Sequence, residues 1–371
     1  VFNPKFTYTN TMVSELMSIE HSRAIVDLMP LPATVERDLI EKAKVKMTHY
    51  STRIEGNLLD LEQVSRVVKQ KPEKNRIAAE DEVRNYWEAL SFLSREKKKG
   101  TPITEDFILQ LHAIIYQHGT GRKALKSRYR EATEPGVLFA VFDNKTRQPE
   151  YIPPEYSDVP VLMDDFTTWI KQETDLPIPI KAAIAAYQLL TIHPFEDGNG
   201  RTARALATYM LSLADYDMKG FQSLEEYYVE DLDGYYRHLQ MGLPVLYYDG
   251  RHNPENMAPW IEYFVKIMSL AYEKVANLAK QFSTSNQHVL IALLEPNETT
   301  LLRFMIETNR PVKPIELTQL FQVHTRTIGK WTKQWVLKGL IEPAGGTKRI
   351  TAYRIGSGYS EFTLADLGYK E

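Results

Sequence analysis

The chain of 371 residues contains no cysteine. Disulfides, thiolate metal sites and a cysteine nucleophile are therefore excluded. A long apolar run is also missing. The longest, Val289 to Leu294, falls far short of the roughly 20 residues that cross a bilayer. The first residues, Val1-Phe-Asn-Pro-Lys5, lack a charged start followed by an apolar core. No signal peptide is expected, and the expectation is a cytoplasmic protein with no membrane partner. Neither sign of charge dominates: 45 Lys and Arg stand against 48 Asp and Glu, a net of -3, so a general polyanion-binding role is not expected. There is no internal repeat and no low-complexity tract. What is present is an ordinary globular composition, in a chain long enough for two or three domains.

Apolar residues at Ala33, Val35, Leu39, Ile40, Ala43, Val45 and Met47 recur three and four apart, which predicts a helix over 33–50. A polar break is expected at Ser51 to Asn57, followed by helices over 60–69 and 77–96. Another helix is expected from Glu105 to His118, capped by Thr104 and ended by Gly119-Thr-Gly121. Val137 to Phe142 reads as a short strand, Asp143 to Arg147 as a polar turn and Glu150 to Ile152 as the returning strand. Helices resume over 159–172, 180–192 and 201–215, with two or three more within 221–282. Beyond these, helical patterns over 286–308, 314–322 and 325–338 precede Gly345-Gly346 and the alternating Ile350 to Arg354. Three helices and a two-stranded wing is a winged-helix order. The expected fold is mostly α in three parts: an N-terminal helical region over 1–100, a core over 101–282 with a hairpin at about 130–152, and a winged-helix domain over 283–371.

The most informative stretch is His193-Pro-Phe-Glu-Asp-Gly-Asn-Gly-Arg-Thr-Ala-Arg204, which lies between two helical patterns. Gly198 and Gly200 let the backbone turn and aim its N–H groups at one point. The following helix directs its positive end to the same place. Arg201 and Arg204, three apart, share a helical face and suit phosphate oxygens. Asp197 is a hard oxygen ligand suited to Mg2+. His193 at the rim is available as a neutral base. A polyphosphate held beside a nucleophile's proton is the chemistry this set of residues can perform.

The stretch resembles the signature of the Fic family, His-x-Phe-x-Asp/Glu-Gly-Asn-Gly-Arg-x-x-Arg, at every specified position. Such proteins mostly transfer AMP from ATP to a Ser, Thr or Tyr hydroxyl of a target protein. The resemblance implies a Fic-type helical core with a hairpin flap that presents the target. It implies His193 as general base, Asp197 as the Mg2+ ligand, and Asn199 with the backbone of Gly198 and Gly200 at the α-phosphate. Arg201 would meet the β-phosphate and Arg204 the γ-phosphate, with Phe195 as a packing anchor. Tyr235-Tyr236 is similar to an aromatic pair at the adenine pocket of relatives. Leu109-Gln-Leu-His112 resembles the start of the family core, with His112 read as a buried structural histidine. Tyr151-Ile-Pro-Pro154 also looks familial, whereas Glu131-Ala-Thr-Glu-Pro-Gly136 does not.

Ser51-Thr-Arg-Ile-Glu55-Gly-Asn57 resembles the family's inhibitory motif, Ser/Thr-x-x-x-Glu-Gly/Asn. It implies that Glu55 pairs with Arg204 in competition with the γ-phosphate. A lock that leaves about 1% of molecules competent needs roughly 2.7 kcal/mol of bias, so Glu55 is expected to be largely shielded, with Ser51 hydrogen-bonded to it. In some relatives the same Glu serves AMP removal, which stays as an alternative. Gly200, where Doc-type kinases carry Lys, favours AMP transfer over a kinase. The C-terminal segment 300–355 carries ten Lys and Arg against three Asp and Glu, a net of +7. A DNA-binding regulator with the core as nucleotide sensor is therefore the rival from another class. Protein docking and self-association stay open beside it. Trp331 and Trp335 read as core.

Overall fold

The computed structural model spans residues 1–371 and describes all of them except 29–32, 72–76, 117–126, 135–138, 143–147, 173, 244–252, 285–293, 345–349, 361, 365–366 and 368–371. The chain divides into two compact units, Val1–Asp27 with Ile40–Val275 and Leu28–Leu39 with Ala276–Glu371. The N-terminal helices thus share a unit with the segment expected as the core. Much of the expected lead-in, strand and turn over 131–147, the Gly119-Thr-Gly121 stop, the first part of the helix expected over 286–308 and the Gly345-Gly346 turn lie outside the described residues.

The first unit contains α1 (Asn10–Asp27), α2 (Ala33–Ile54, from Ile40 on), α3 (Leu61–Lys69), α4 (Ala78–Lys99) and α5 (Glu105–Ile115). Strands β1 (Val141–Phe142) and β2 (Pro149–Tyr151) pair antiparallel, with Val141 opposite Tyr151. Then follow α6 (Val159–Lys171), α7 (Ile178–Ile192), α8 (Asn199–Leu213), α9 (Glu225–Glu230), α10 (Leu232–Gln240) and most of α11 (Ala258–Thr284). Two helix starts follow their sequence signals. Thr104 accepts the Phe107 N–H at 3.1 Å, and Asp60 forms a reciprocal capping box with Gln63.

α7 is buried on nearly every side, which marks it as the central helix. Its alanines at 182, 183, 185 and 186 let neighbours approach closely, and the Trp260 indole N–H on α11 donates to the Ala183 carbonyl at 2.7 Å. α8 starts where the motif loop ends, so α7 and α8 hold that loop at both ends. Two elements depart from expectation. α1 is not among the expected helices: it buries Met12, Ile19 and Val26 and exposes the apolar Val13 and Met17. α2 also runs on through the expected break to Ile54. The Thr52 hydroxyl satisfies itself on the Thr48 carbonyl at 2.9 Å, so the polar residues there stay helical.

In the second unit, α12 (Pro296–Thr308), α13 (Pro314–Phe321) and α14 (Thr325–Leu337) precede the antiparallel hairpin of β3 (Ile341–Ala344) and β4 (Ala352–Ile355). Val312, between α12 and α13, exchanges two 2.8 Å hydrogen bonds with Tyr353. Leu301, Leu302, Met305, Leu317, Ile328 and Trp335 form the core of this unit, with Trp331 packed against it.

Candidate active site

α7 ends at His193, whose backbone is left-handed at φ 48 and ψ 57. Histidine enters this region more readily than most residues, and Pro194 offers no N–H to continue the helix. The ring Nδ1 lies 3.3 Å from the Leu190 carbonyl. Donation from Nδ1–H to that oxygen leaves the Nε2 lone pair unengaged. Burial pushes the imidazole down to about 4, so the ring is neutral at pH 7.

Three devices hold the loop after His193. The Asn199 side chain accepts the Phe195 N–H at 3.0 Å and donates to the Phe195 carbonyl at 2.8 Å. Phe195 is buried and stacks on His112 at a centroid distance of 3.6 Å. His112 bonds through Nε2 to the Asp197 carbonyl at 2.8 Å and through Nδ1 to Ser127. Burial pushes His112 down to about 4 as well. Arg130 supplies the third: its Nε donates to the His193 carbonyl at 2.9 Å, its Nη2 to Pro154, and its backbone N–H to Pro194 at 2.9 Å. His112 thus stays structural, and it holds the motif loop directly. Both ends of the Asn199 amide are engaged by Phe195, so this side chain steadies the loop beside the α-phosphate role expected of it.

The loop closes through Gly198, left-handed at φ 78, where an added Cβ would stand 3.2 Å from His112 Nε2. α8 begins at Asn199. Its two arginines face different partners. Arg204, on side-chain exposure of 5%, donates from Nε to the Ser51 hydroxyl and from Nη2 to the Ser51 carbonyl, both at 3.0 Å. Nη2 also meets Glu55 Oε1 at 2.7 Å. Burial opposes the Arg204 charge, Glu55 more than offsets it, and the pKa is raised. Ser51 therefore supports the arginine, where a bond to Glu55 was expected. The Glu55 N–H turns to Thr52, so the Ser51 carbonyl at the end of α2 is left for a cation. Glu55 itself keeps 26% side-chain exposure and is less shielded than expected. Gly200 makes this pair feasible, since a Cβ there would sit 2.2 Å from Glu55 Oε1.

Arg201 is held by Glu82 on α4, Nη1 to Oε1 at 2.5 Å, and by the Asp197 carboxylate at 3.4 Å. Asp197 keeps 58% side-chain exposure and also accepts the Gly198 N–H at 2.5 Å. No cluster of three or more acidic, His or Cys groups able to hold a metal occurs among the described residues. One exposed carboxylate still fits Mg2+, which is commonly bound by one or two carboxylates together with substrate phosphates.

A cleft of about 750 Å³, counting its open mouth, brings His193, Gly200, Arg204, Tyr235 and Tyr236 together with Glu55. That volume lies within the range of ligand sites. Tyr235 is buried beside Arg204, and Tyr236 is half-buried. Asp197 and Arg201 line a neighbouring groove with Glu82 and Asn57, and Glu55 lines both spaces. Glu82 and Arg130 escaped sequence reasoning. Glu82 lies in an acidic first helical turn that reads as a solvated cap, and Arg130 lies in a segment without periodicity; nothing local marks either.

The Fic/DOC family profile matches residues 102–211. Over that stretch the chain is similar to a Fic domain. A protein adenylyltransferase Fic of Nematostella vectensis is 30% identical over 221 residues, 57% of this chain and 48% of that protein. One from Drosophila willistoni is 27% identical over 205 residues, 54% of this chain and 38% of that one. The match thus spans about half or less of these curated relatives. Among solved structures, a Fic family protein from Desulfovibrio desulfuricans G20 superposes with a TM-score of 0.60 over 96% of this chain and 99% of its own, at 20% identity, which establishes the fold. Fic-1 from C. elegans gives 0.54 over 74% of each chain at 25% identity. Within the matched segment lie the loop, His112 and Arg130. Glu55 and Glu82, which meet its two arginines, and the tyrosine pair come from outside the matched segment.

Proposed function

We propose that the chain is a protein adenylyltransferase that transfers AMP from ATP to a Ser, Thr or Tyr hydroxyl of a protein, which includes the chain itself, and that Glu55 holds it in check. The observation that carries this reading is the cleft in which His193 and Arg204 meet, with Glu55 on Arg204 at 2.7 Å. Tyr235 and Tyr236 form the wall for the adenine. Gly198 and Gly200 bring the backbone of the loop to the α-phosphate, and Asn199 keeps that backbone in shape. Arg201 and Arg204 meet the β- and γ-phosphates. Asp197 would hold Mg2+, which when bound neutralises charge between the phosphates.

His193 Nε2 accepts the target's hydroxyl proton as the oxygen bonds to the α-phosphorus. The bond from that phosphorus to the bridging oxygen breaks, and pyrophosphate leaves. Catalysis of this kind rests on positioning and charge stabilisation. With Glu55 on Arg204 the γ-phosphate has no seat there, and ATP binds with its α-phosphate misplaced. Label is expected on protein from α-³²P-ATP and not from γ-³²P-ATP, and His193→Ala is expected to abolish it. Label from the γ-position establishes a kinase instead, and full labelling by the His193 variant refutes the base.

A rival reading, a DNA-binding regulator with the core as nucleotide sensor, is supported by α14, which we read as the recognition helix of a winged-helix domain. Arg303, Arg310, Lys338 and Arg354 of this unit each have a carboxylate partner. Arg326, Lys330 and Lys333 have none among the described residues, are exposed, and share one face of α14 with the open Gly329. Such a face suits duplex phosphates. Binding of random duplex DNA that weakens steeply between about 50 and 200 mM salt is expected. A Lys330→Glu, Lys333→Glu variant that binds equally well at both concentrations overturns it.

A further inference from the structure

We infer that Glu82 is a second carboxylate that sets which nucleotides the site accepts, acting on Arg201 as Glu55 acts on Arg204. This rests on the phosphate assignment proposed above. Arg201 is nearly buried at 7% side-chain exposure, and both of its terminal nitrogens face carboxylates. Nη1 is on Glu82 at 2.5 Å and Nη2 on Asp197 at 3.4 Å. Nε is sealed from solvent with no acceptor among the described residues. A β-phosphate arriving at Arg201 therefore meets an arginine already neutralised, with a second negative charge fixed beside it. Like charges placed together in this way oppose binding.

Glu82 is fixed in turn by Asn57. The Asn57 amide donates to Glu82 Oε2 at 2.6 Å and to the Ala79 carbonyl at 3.0 Å, and its carbonyl oxygen accepts the Leu59 N–H at 3.1 Å. Asn57 lies two residues beyond Glu55, across Gly56 at φ 94. One turn at the end of α2 thus places a carboxylate on Arg204 and clamps the carboxylate on Arg201. The two arginines are withheld from different phosphates, so the two carboxylates discriminate by phosphate number. Glu82 weakens every nucleotide with a β-phosphate. Glu55 weakens only those with a γ-phosphate.

The test is calorimetric binding of adenosine, ADP and the non-transferable α,β-methylene-ATP, with Mg2+, to the full chain. Glu82→Gln is expected to tighten ADP and the ATP analogue by about tenfold and to leave adenosine within about twofold. Glu55→Gly is expected to tighten the ATP analogue alone. Asn57→Ala, which releases Glu82 without altering its charge, is expected to shift ADP in the same direction by less. Weaker ADP binding in Glu82→Gln, or an equal shift for adenosine, overturns the proposal and makes Glu82 structural. If Glu55→Gly discriminates by the γ-phosphate while Glu82→Gln and Asn57→Ala leave ADP unchanged, this inference fails and the adenylyltransferase reading stands. If no variant responds to phosphate number, the phosphate assignment itself falls.

Discussion

Removing the Glu55 carboxylate is the most decisive perturbation, and the structure sets its size. An exposed ion pair contributes about 0–1 kcal/mol, and breaking a fully buried one costs about 3–5 kcal/mol. The Glu55–Arg204 pair lies between these limits, with a nearly buried arginine and a carboxylate at 26% exposure. A charge-assisted bond at 2.7 Å in that setting contributes about 1.5–3 kcal/mol. The Ser51 hydroxyl and carbonyl remain on Arg204 in Glu55→Gly, so the arginine keeps its place and loses only its competitor. Since about 1.4 kcal/mol is a factor of ten, the competent fraction rises about 10- to 100-fold. Self-labelling from α-³²P-ATP, measured as an initial rate at saturating ATP, should rise by that factor. A folded Glu55→Gly protein that binds ATP and labels no faster than wild type would refute the lock. A rise of only about twofold would refute the burial argument, because it corresponds to an exposed pair.

Other outcomes follow from the same geometry. Gly200→Ala forces a Cβ against the Glu55 carboxylate, so it should destabilise the wild type by about 1–3 kcal/mol and the Glu55→Gly background by clearly less; equal losses in urea melts would disprove the contact. His193 and His112 are both depressed from 6.5 to about 4. Between those values the unfolded chain binds protons that the folded chain refuses. Stability should therefore be intact above pH 6.5 and fall towards pH 4, by up to about 1.4 kcal/mol per pH unit for each ring. A flat stability profile through that window would contradict the buried neutral rings. Transfer rate should show no inflection near 6.5 from His193, and a bell centred there would count against its depressed value. Arg130→Lys keeps a charge and loses the fork that holds His193 and Pro154. It should lower the labelling rate about tenfold or more with nucleotide affinity unchanged; a loss confined to affinity would remove Arg130 from the positioning of His193.

Much of the fold was legible because local rules governed it. The helices from α3 to α8 follow their apolar spacing and caps, and β3–β4 follows its alternation. The failures have local reasons too. The buried face of α1, Met12, Ile19 and Val26, recurs seven apart but is obscured by the exposed Val13 and Met17, and the polar run at Ser51 hid the last turn of α2 because Thr52 bonds back into the helix.

By itself the sequence determined the resemblance to Fic proteins, the loop at 193–204 and the motif around Glu55, because these depend on residue types at fixed short spacing. Three-dimensional structure alone decided what each of those residues is bonded to. It gave Ser51 to Arg204, turned the Asn199 amide onto Phe195, brought Glu82 across 119 positions to Arg201, and set Arg130 behind His193. The physical reason is that a nearly buried charge must be met by some partner, and packing determines which one arrives. Sequence marks Arg201 and Arg204 as candidates for phosphate; the packing of α2 and α4 against α8 gives them Glu82 and Glu55 as partners.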